Sequence, residues 1–173
     1  MADNRRDRRA SLRLQGFDYA QSGVYFVTIC VKDRKCLFGE VAYGGMVANR
    51  VGAAVGTSWS ELPEMFPGLA LDAFVVMPNH LHGLVVFDGV MSFDLSAVIQ
   101  AYKSLSTRGV NAMRGSPGGH LWHRGFYEHI VRNDADLDRI RQYIAENPIR
   151  WALDEENPAR SRAPGPSKLG PYG

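Results

Sequence analysis

Two histidines, His80 and His82, sit two residues apart inside the run Phe74-Val-Val-Met-Pro-Asn-His80-Leu-His82-Gly-Leu-Val-Val-Phe87. β-branched and apolar residues flank them, which predicts extended backbone. Alternate side chains of a strand share a face, so both imidazoles point one way and Leu81 the other. A rigid pair of this kind can supply two nitrogen ligands to a metal. The plainer alternative is two surface histidines on a half-exposed strand. Far along the chain, Tyr143 and Asn147 lie four residues apart in a helical pattern and so stack on one helix face. A phenol can attack phosphorus when a metal polarises the phosphate and the proton, ordinarily lost near pKa of about 10, can leave. The Asn147 amide oxygen is a candidate third ligand. Phosphate oxygens and waters would then complete an octahedral shell suited to Mg²⁺ or Mn²⁺. Against this, Tyr143 could be packing, and Asn147 a helix-terminal residue before Pro148.

The elements that must position these groups follow from patterning. Residues 23–31 are dense in β-branched and aromatic side chains and predict a strand; residues 32–35 form a charged turn. Residues 37–47 can hold one or two short strands broken at Gly39 and Gly44-Gly45. Apolar Val47, Val51, Ala54, Val55 and Trp59 predict an amphipathic helix over 47–62, ended by Pro63 and Pro67. Strands are predicted at 69–77 and 80–87 around a Pro78-Asn79 turn, then a helix over 94–113 and a strand over 122–131. Asn133 is a candidate N-cap, with acids in the first turn of a helix running to Asn147, where Pro148 disfavours continuation. The order strand, helix, strand, strand, helix, strand, helix predicts an α+β fold. It is an antiparallel ferredoxin-like (RRM-like) sheet backed by helices, with an added C-terminal helix carrying Tyr143.

With 173 residues, 45% hydrophobic and 22% charged, the chain reads as an ordinary globular protein with one main domain. Residues 1–20 form a basic arm, 21–152 the domain, and 153–173 a flexible basic tail rich in Pro, Gly, Arg and Ser. The net charge of +2 is small, so position matters more than total. Arg5, Arg6, Arg8, Arg9 and Arg13 crowd the first segment, and Arg160 and Arg162 the last; such arms suit phosphate backbones or merely keep ends solvated. Lys103 and Arg114, on the second predicted helix, are further DNA-contact candidates. Cys30 and Cys36 form neither a disulfide framework nor a zinc knuckle, which points to a reducing, cytoplasmic setting. No apolar run reaches the roughly 20 residues that span a bilayer, and the basic start lacks a signal core. His120, His123 and His129 could join a cysteine around zinc, but their spacing is irregular. Trp122, Phe126 and Tyr127 could stack on unpaired bases or pack the core.

Taken together, Met77-Pro-Asn-His80-Leu-His82, Tyr143-Ile-x-x-Asn147-Pro148 and the intervening Leu121-Trp-His-Arg-Gly-Phe-Tyr-Glu-His-Ile-Val131 resemble single-tyrosine HUH transposases. The nearer likeness is to the REP-associated tyrosine transposases of bacteria. It extends from about Arg8 to Trp151 and includes Leu12-Arg-Leu-x-Gly-x-Asp-Tyr19, Tyr25-Phe-Val-Thr28 and Lys103-Ser104. The resemblance implies cleavage and rejoining of single-stranded DNA near hairpins by a chain acting as monomer or homodimer at the bacterial nucleoid. It implies His80, His82 and Asn147 as metal ligands and Tyr143 as nucleophile, forming a 5′-phosphotyrosine link. Many insertion-sequence relatives carry Gln where this chain has Asn147; the Asn-Pro ending is similar to the REP-associated branch. Two rival expectations stand beside it: a non-catalytic domain that binds single strands on an RRM-like sheet, and a regulator that binds hairpins without cutting.

Overall fold

A computed structural model describes residues 22–89 and 91–160. A four-stranded antiparallel sheet forms its centre. Its strands are β1 (Gly23–Cys30), β4 (Leu69–Met77), β5 (His80–Phe87) and β6 (Tyr127–Val131), in the spatial order β4-β5-β1-β6. Between β1 and β4 come a hairpin of β2 (Gly39–Ala42) and β3 (Gly45–Ala48), helix α1 (Arg50–Ser60) and the short α2 (Leu62–Met65). Helix α3 (Leu95–Arg114) joins β5 to β6, and α4 (Asp134–Glu146) follows β6. This is the ferredoxin-like arrangement that the alternation of elements predicts.

Period-two alternation decides which helix covers which face. Tyr25, Val27 and Ile29 of β1, with Leu81 and Val85 of β5, turn toward α1 and α3 and bury Val55, Trp59, Val98, Ile99 and Tyr102. The intervening Phe26 and Leu84 turn the other way and meet Ile140 and Ile144 of α4. Each such buried aliphatic side chain contributes about 1.5–3 kcal/mol, so α4 is held by a small apolar seam plus polar ties. Close approach explains the glycine after the histidine pair. A Cβ on Gly83 would stand 2.5 Å from Trp59 Cζ2, so only glycine lets α1 lie flat on β5.

Several boundaries differ from expectation. Val47 belongs to β3, and α1 begins at Arg50 because Asn49 Oδ1 accepts from the N–H groups of Val51 (2.9 Å) and Gly52 (3.0 Å). Gly39 starts β2 instead of breaking it. Pro63 does not end a helix but sits in the first turn of α2, where its missing N–H costs nothing. The last strand is five residues long, not ten. Residues 122–126 leave the ladder because Lys103 Nζ donates to the carbonyls of His123 (3.0 Å), Arg124 (3.4 Å) and Gly125 (2.8 Å), and Trp122 keeps only an isolated bridge to Val31.

Of the expected flexible tail at 153–173, residues 161–173 lie outside the described residues, and residues 153–160 differ most from expectation. Trp151–Leu153 forms a 3₁₀ turn, and residues 154–160 fold back over the end of the sheet. Asn79 Nδ2 donates to the Glu156 carbonyl (2.6 Å), Arg34 Nη1 to that of Glu155 (3.0 Å), and Arg34 Nε pairs with Glu156 Oε2 (3.0 Å). Low local hydrophobicity concealed a segment held by polar bonds. Among the described residues, no helix is long and apolar enough to cross a membrane.

Candidate tyrosine and metal site

His80 and His82 face α4 from the start of β5, and both are buried. Their orientation is set by neighbours. Asn79 Nδ2 donates to the carbonyls of Arg34 and Glu156, which leaves Oδ1 to accept from His80 Nδ1 at 2.9 Å. That bond places the proton on Nδ1 and the lone pair on Nε2. His82 Nδ1 is tied to Thr28 Oγ1 at 2.8 Å, and its ring stacks on Phe26 at 5.5 Å. Such outer bonds to the far ring nitrogen are the ordinary way a metal-ligating imidazole is aimed.

The two Nε2 atoms meet 3.0 Å apart. Burial depresses the pKa of His80 well below its usual range, helped by His82 and Arg34 and opposed by Asn147. Burial alone lowers His82 to about 3. Both rings are therefore neutral near pH 7, the form that binds metals. Two facing nitrogens in that state are stabilised by a cation or a proton between them.

Helix α4 brings Tyr143 to this point. Its hydroxyl lies 3.4 Å from His82 Nε2, and its ring packs edge-on against those of Phe26 (6.0 Å) and His82 (5.2 Å). One turn later Asn147 is buried; its amide lies close enough to His80 and Tyr143 to shift both, yet among the described residues its Oδ1 makes no hydrogen bond of good geometry. A buried acceptor without a donor is costly and uncommon, and a cation would satisfy it. Tyr143 is pushed up to about 12, first by burial and then by Asp154, Glu156 and Glu155, while the Asn147 amide opposes. Alone, the phenol is a poor nucleophile here.

Asp154 completes the cluster, and sequence reading missed it. Its Oδ2 stands 3.7 Å from His80 Nε2, and ligand atoms of His80, His82 and Asp154 all lie within 4.8 Å of one another. The acid run Asp154-Glu155-Glu156 within an otherwise basic tail was the only signal available. Burial raises the Asp154 pKa, and Glu156 and Glu155 add to the rise. Of these acids only Asp154 groups with the imidazoles; Glu156 is paired with Arg34.

The remaining candidates are dispersed. No cluster joins His120, His123 or His129 to a cysteine among the described residues; His129 Nε2 bonds Asp136 Oδ2 at 2.9 Å, and Cys30 is a half-buried thiol pushed up to about 12 by burial and by Glu156. Lys103 spends its donors on loop carbonyls, so the structure does not present it as a free DNA contact. Arg114 is exposed at the end of α3, while Arg160 Nη1 donates to the Leu153 carbonyl at 2.5 Å and braces the tail. Arg5, Arg6, Arg8, Arg9, Arg13 and Arg162 lie outside the described residues.

Comparison with known proteins places these features in context. The model of the family described as Transposase IS200 like matches residues 47–147. An uncharacterised protein of Haemophilus influenzae is 33% identical over 167 residues, spanning 85% of this chain and 92% of the relative. A second protein of that organism, named as a REP-associated tyrosine transposase, is 28% identical over 148 residues, 80% of this chain and 77% of its own. Among solved structures, a REP-associated tyrosine transposase bound to a REP hairpin superposes with a TM-score of 0.61 at 19% identity, covering 83% of this chain and 77% of that one. A protein of Deinococcus radiodurans assigned as a transposase gives 0.50 at 20% identity, covering 77% of this chain and 95% of that one. Both share the fold.

Proposed function

Because this chain belongs to the IS200-like transposase family and resembles its REP-associated branch, we propose that it cleaves and rejoins single-stranded DNA at or near hairpins, with Tyr143 as nucleophile. The observation that carries this reading is the Tyr143 hydroxyl 3.4 Å from His82 Nε2, within one chain and beside a buried Asn147 whose Oδ1 makes no hydrogen bond of good geometry among the described residues. The donor set fits a divalent ion: two neutral imidazole Nε2 atoms, the Asn147 amide oxygen and the Asp154 carboxylate. Mg²⁺ or Mn²⁺ held there would supply the positive charge that polarises a phosphodiester and favours the phenolate.

The residues divide the remaining work. Asn79 and Thr28 hold the imidazoles in register, so their Nε2 atoms converge. Phe26 and His82 wall the phenol on one side and fix its approach. Tyr143 Oη forms a bond to the scissile phosphorus as the bond to the 3′ oxygen breaks. The phenol proton leaves to water, and the departing oxygen takes one up. The product is a 5′-phosphotyrosine and a free 3′-hydroxyl, and attack by another 3′-hydroxyl reverses the step. One ester replaces another at each stage, so no nucleotide cofactor is consumed. Of the binding-only alternatives, an open RRM-like platform is disfavoured, because α4 covers one sheet face and α1 with α3 the other.

The test is incubation with a REP-like hairpin DNA and Mn²⁺, followed by denaturing electrophoresis. Wild type gives a denaturant-resistant protein–DNA adduct; Tyr143→Phe gives none while still shifting the hairpin in a native gel. An adduct formed by the Phe variant would remove Tyr143 from the mechanism.

A further inference from the structure

A second feature lies on the other side of the sheet from the tyrosine. Between α3 and the loop before β6 runs a cleft of about 330 Å³, lined among others by Ser104, Thr107, Arg108, His120, His123 and Arg124, with Trp122 contributing to its wall and no acidic residue in its lining among the described residues. Arg108 and Arg124 are exposed, and neither has an ion pair among the described residues. Two exposed guanidiniums that line one concavity without a carboxylate partner among the described residues are open to an anion, and guanidinium forks match phosphate oxygens. Ser104 and Thr107, three apart on α3, stack on one helix face and add hydroxyl donors.

The loop is built to hold its position. The Lys103 ammonium donates to the carbonyls of His123, Arg124 and Gly125 and lies 5.7 Å from the centre of the Phe126 ring. Trp122 Nε1 donates to Ser106 Oγ at 2.9 Å from the same helix. Arg124 is thus carried on backbone fixed from α3, while Arg108 projects from α3 itself.

A surface route connects the cleft with the tyrosine. Among the described residues β6 is an edge strand, so a chain passing round it need not cross the sheet. Its first residue, Tyr127, pairs with Thr28, is 48% exposed, and has its ring 6.3 Å from that of Phe26, which stacks on His82. An aromatic face left open at this edge is a stacking step for an unpaired base.

We infer that this cleft is a second DNA site that takes phosphodiester groups of a single strand, and that the strand runs from the tyrosine over Tyr127 and around the β6 edge. Its direction rests on the proposed tyrosine chemistry; its binding does not. A duplex, stiff over about 150 base pairs, cannot turn from one sheet face to the other across a single edge strand. The occupant is single-stranded.

The test uses the full chain and a fluorescein-labelled oligothymidylate, read by anisotropy across a salt series without added metal. Each phosphate contact on a single strand contributes about 0.7 to the slope of log affinity against log salt. The Arg108→Ala/Arg124→Ala double variant is expected to flatten that slope by roughly 1.4 and to weaken binding several-fold at low salt. Arg50→Ala, which removes one exposed cation elsewhere, leaves both unchanged. Tyr127→Ala weakens affinity while keeping the wild-type slope, as loss of stacking without loss of charge requires. Wild type that fails to bind the oligothymidylate, a double variant with wild-type slope, or displacement by duplex at equal phosphate concentration would each overturn the inference. The covalent adduct is read separately. An adduct with no dependence on the cleft leaves the catalytic reading standing, and cleft-dependent binding without an adduct supports the cleft alone.

Discussion

Asp154 and Asn147 are the residues on which the proposed site turns, because each would add an oxygen to the same pair of imidazoles from a different part of the chain. Asn147 comes from the end of α4 and is buried, its Oδ1 making no hydrogen bond of good geometry among the described residues; Asp154 comes from the folded-back segment and is partly buried. Both oxygens are proposed to hold the ion. Mn²⁺ titrated calorimetrically should bind Asp154→Asn and Asn147→Ala each at least about tenfold more weakly than wild type, the lower end of what loss of a supporting group around a metal costs. Wild-type affinity in either variant would take that residue out of the shell. Loss of affinity in only the Asp154 variant would leave Asn147 as an amide that orients His80 and Tyr143.

At the level of elements, two contacts decide whether phenol and imidazoles meet. Strand β5 is pressed flat under α1 because Gly83 admits Trp59, and the same strand carries His82 one residue earlier. Gly83→Ala inserts a methyl where the indole sits and should cost about 1–3 kcal/mol. A calorimetric melting temperature lower by roughly 3–10 °C checks this; an unchanged value would mean that α1 yields easily. Helix α4 is fastened at its other end. Asp136 Oδ2 accepts from His129 Nε2 of β6 and from the Arg132 N–H, its Oδ1 accepts from Arg139, and Asn133 Oδ1 caps the helix through the Asp136 N–H. These bonds lock the helix to the strand before it and so set where Tyr143 and Asn147 emerge.

For the molecule as a whole, that anchor predicts how stability responds to acid. Burial disfavours ionised Asp136, but bonds from His129, Arg139 and the Arg132 N–H outweigh it and hold the carboxyl below its ordinary value of 3.8. A folded pKa below the unfolded one stabilises at pH above the unfolded value, and the contribution fades as pH falls through the folded value. Asp136→Asn should therefore be less stable than wild type by about 1–3 kcal/mol at neutral pH. The gap measured by urea denaturation should narrow below about pH 4. A gap that stays constant with pH would show that the side chain's shape, not its charge, matters.

Much was legible before any fold was known, and the reason is local. The strands at 69–77 and 80–87, the cap at Asn133 and the pairing of Tyr143 with Asn147 all follow from periodicities of two and 3.6, which neighbours in the chain dictate. The same periodicity put His80 and His82 on one face, and the family resemblance joined them to Tyr143. What local pattern could not reach was any contact made by polar bonds between distant segments. The segment after Trp151 looks like a tail by composition, yet Asn79, Arg34 and Glu156 hold it so that Asp154 faces the histidines. Lys103 reads as a free cation and is instead the brace of a loop. Chain order alone determined which groups share a face; tertiary structure decided which faces meet, because that depends on hydrogen bonds between residues far apart in sequence.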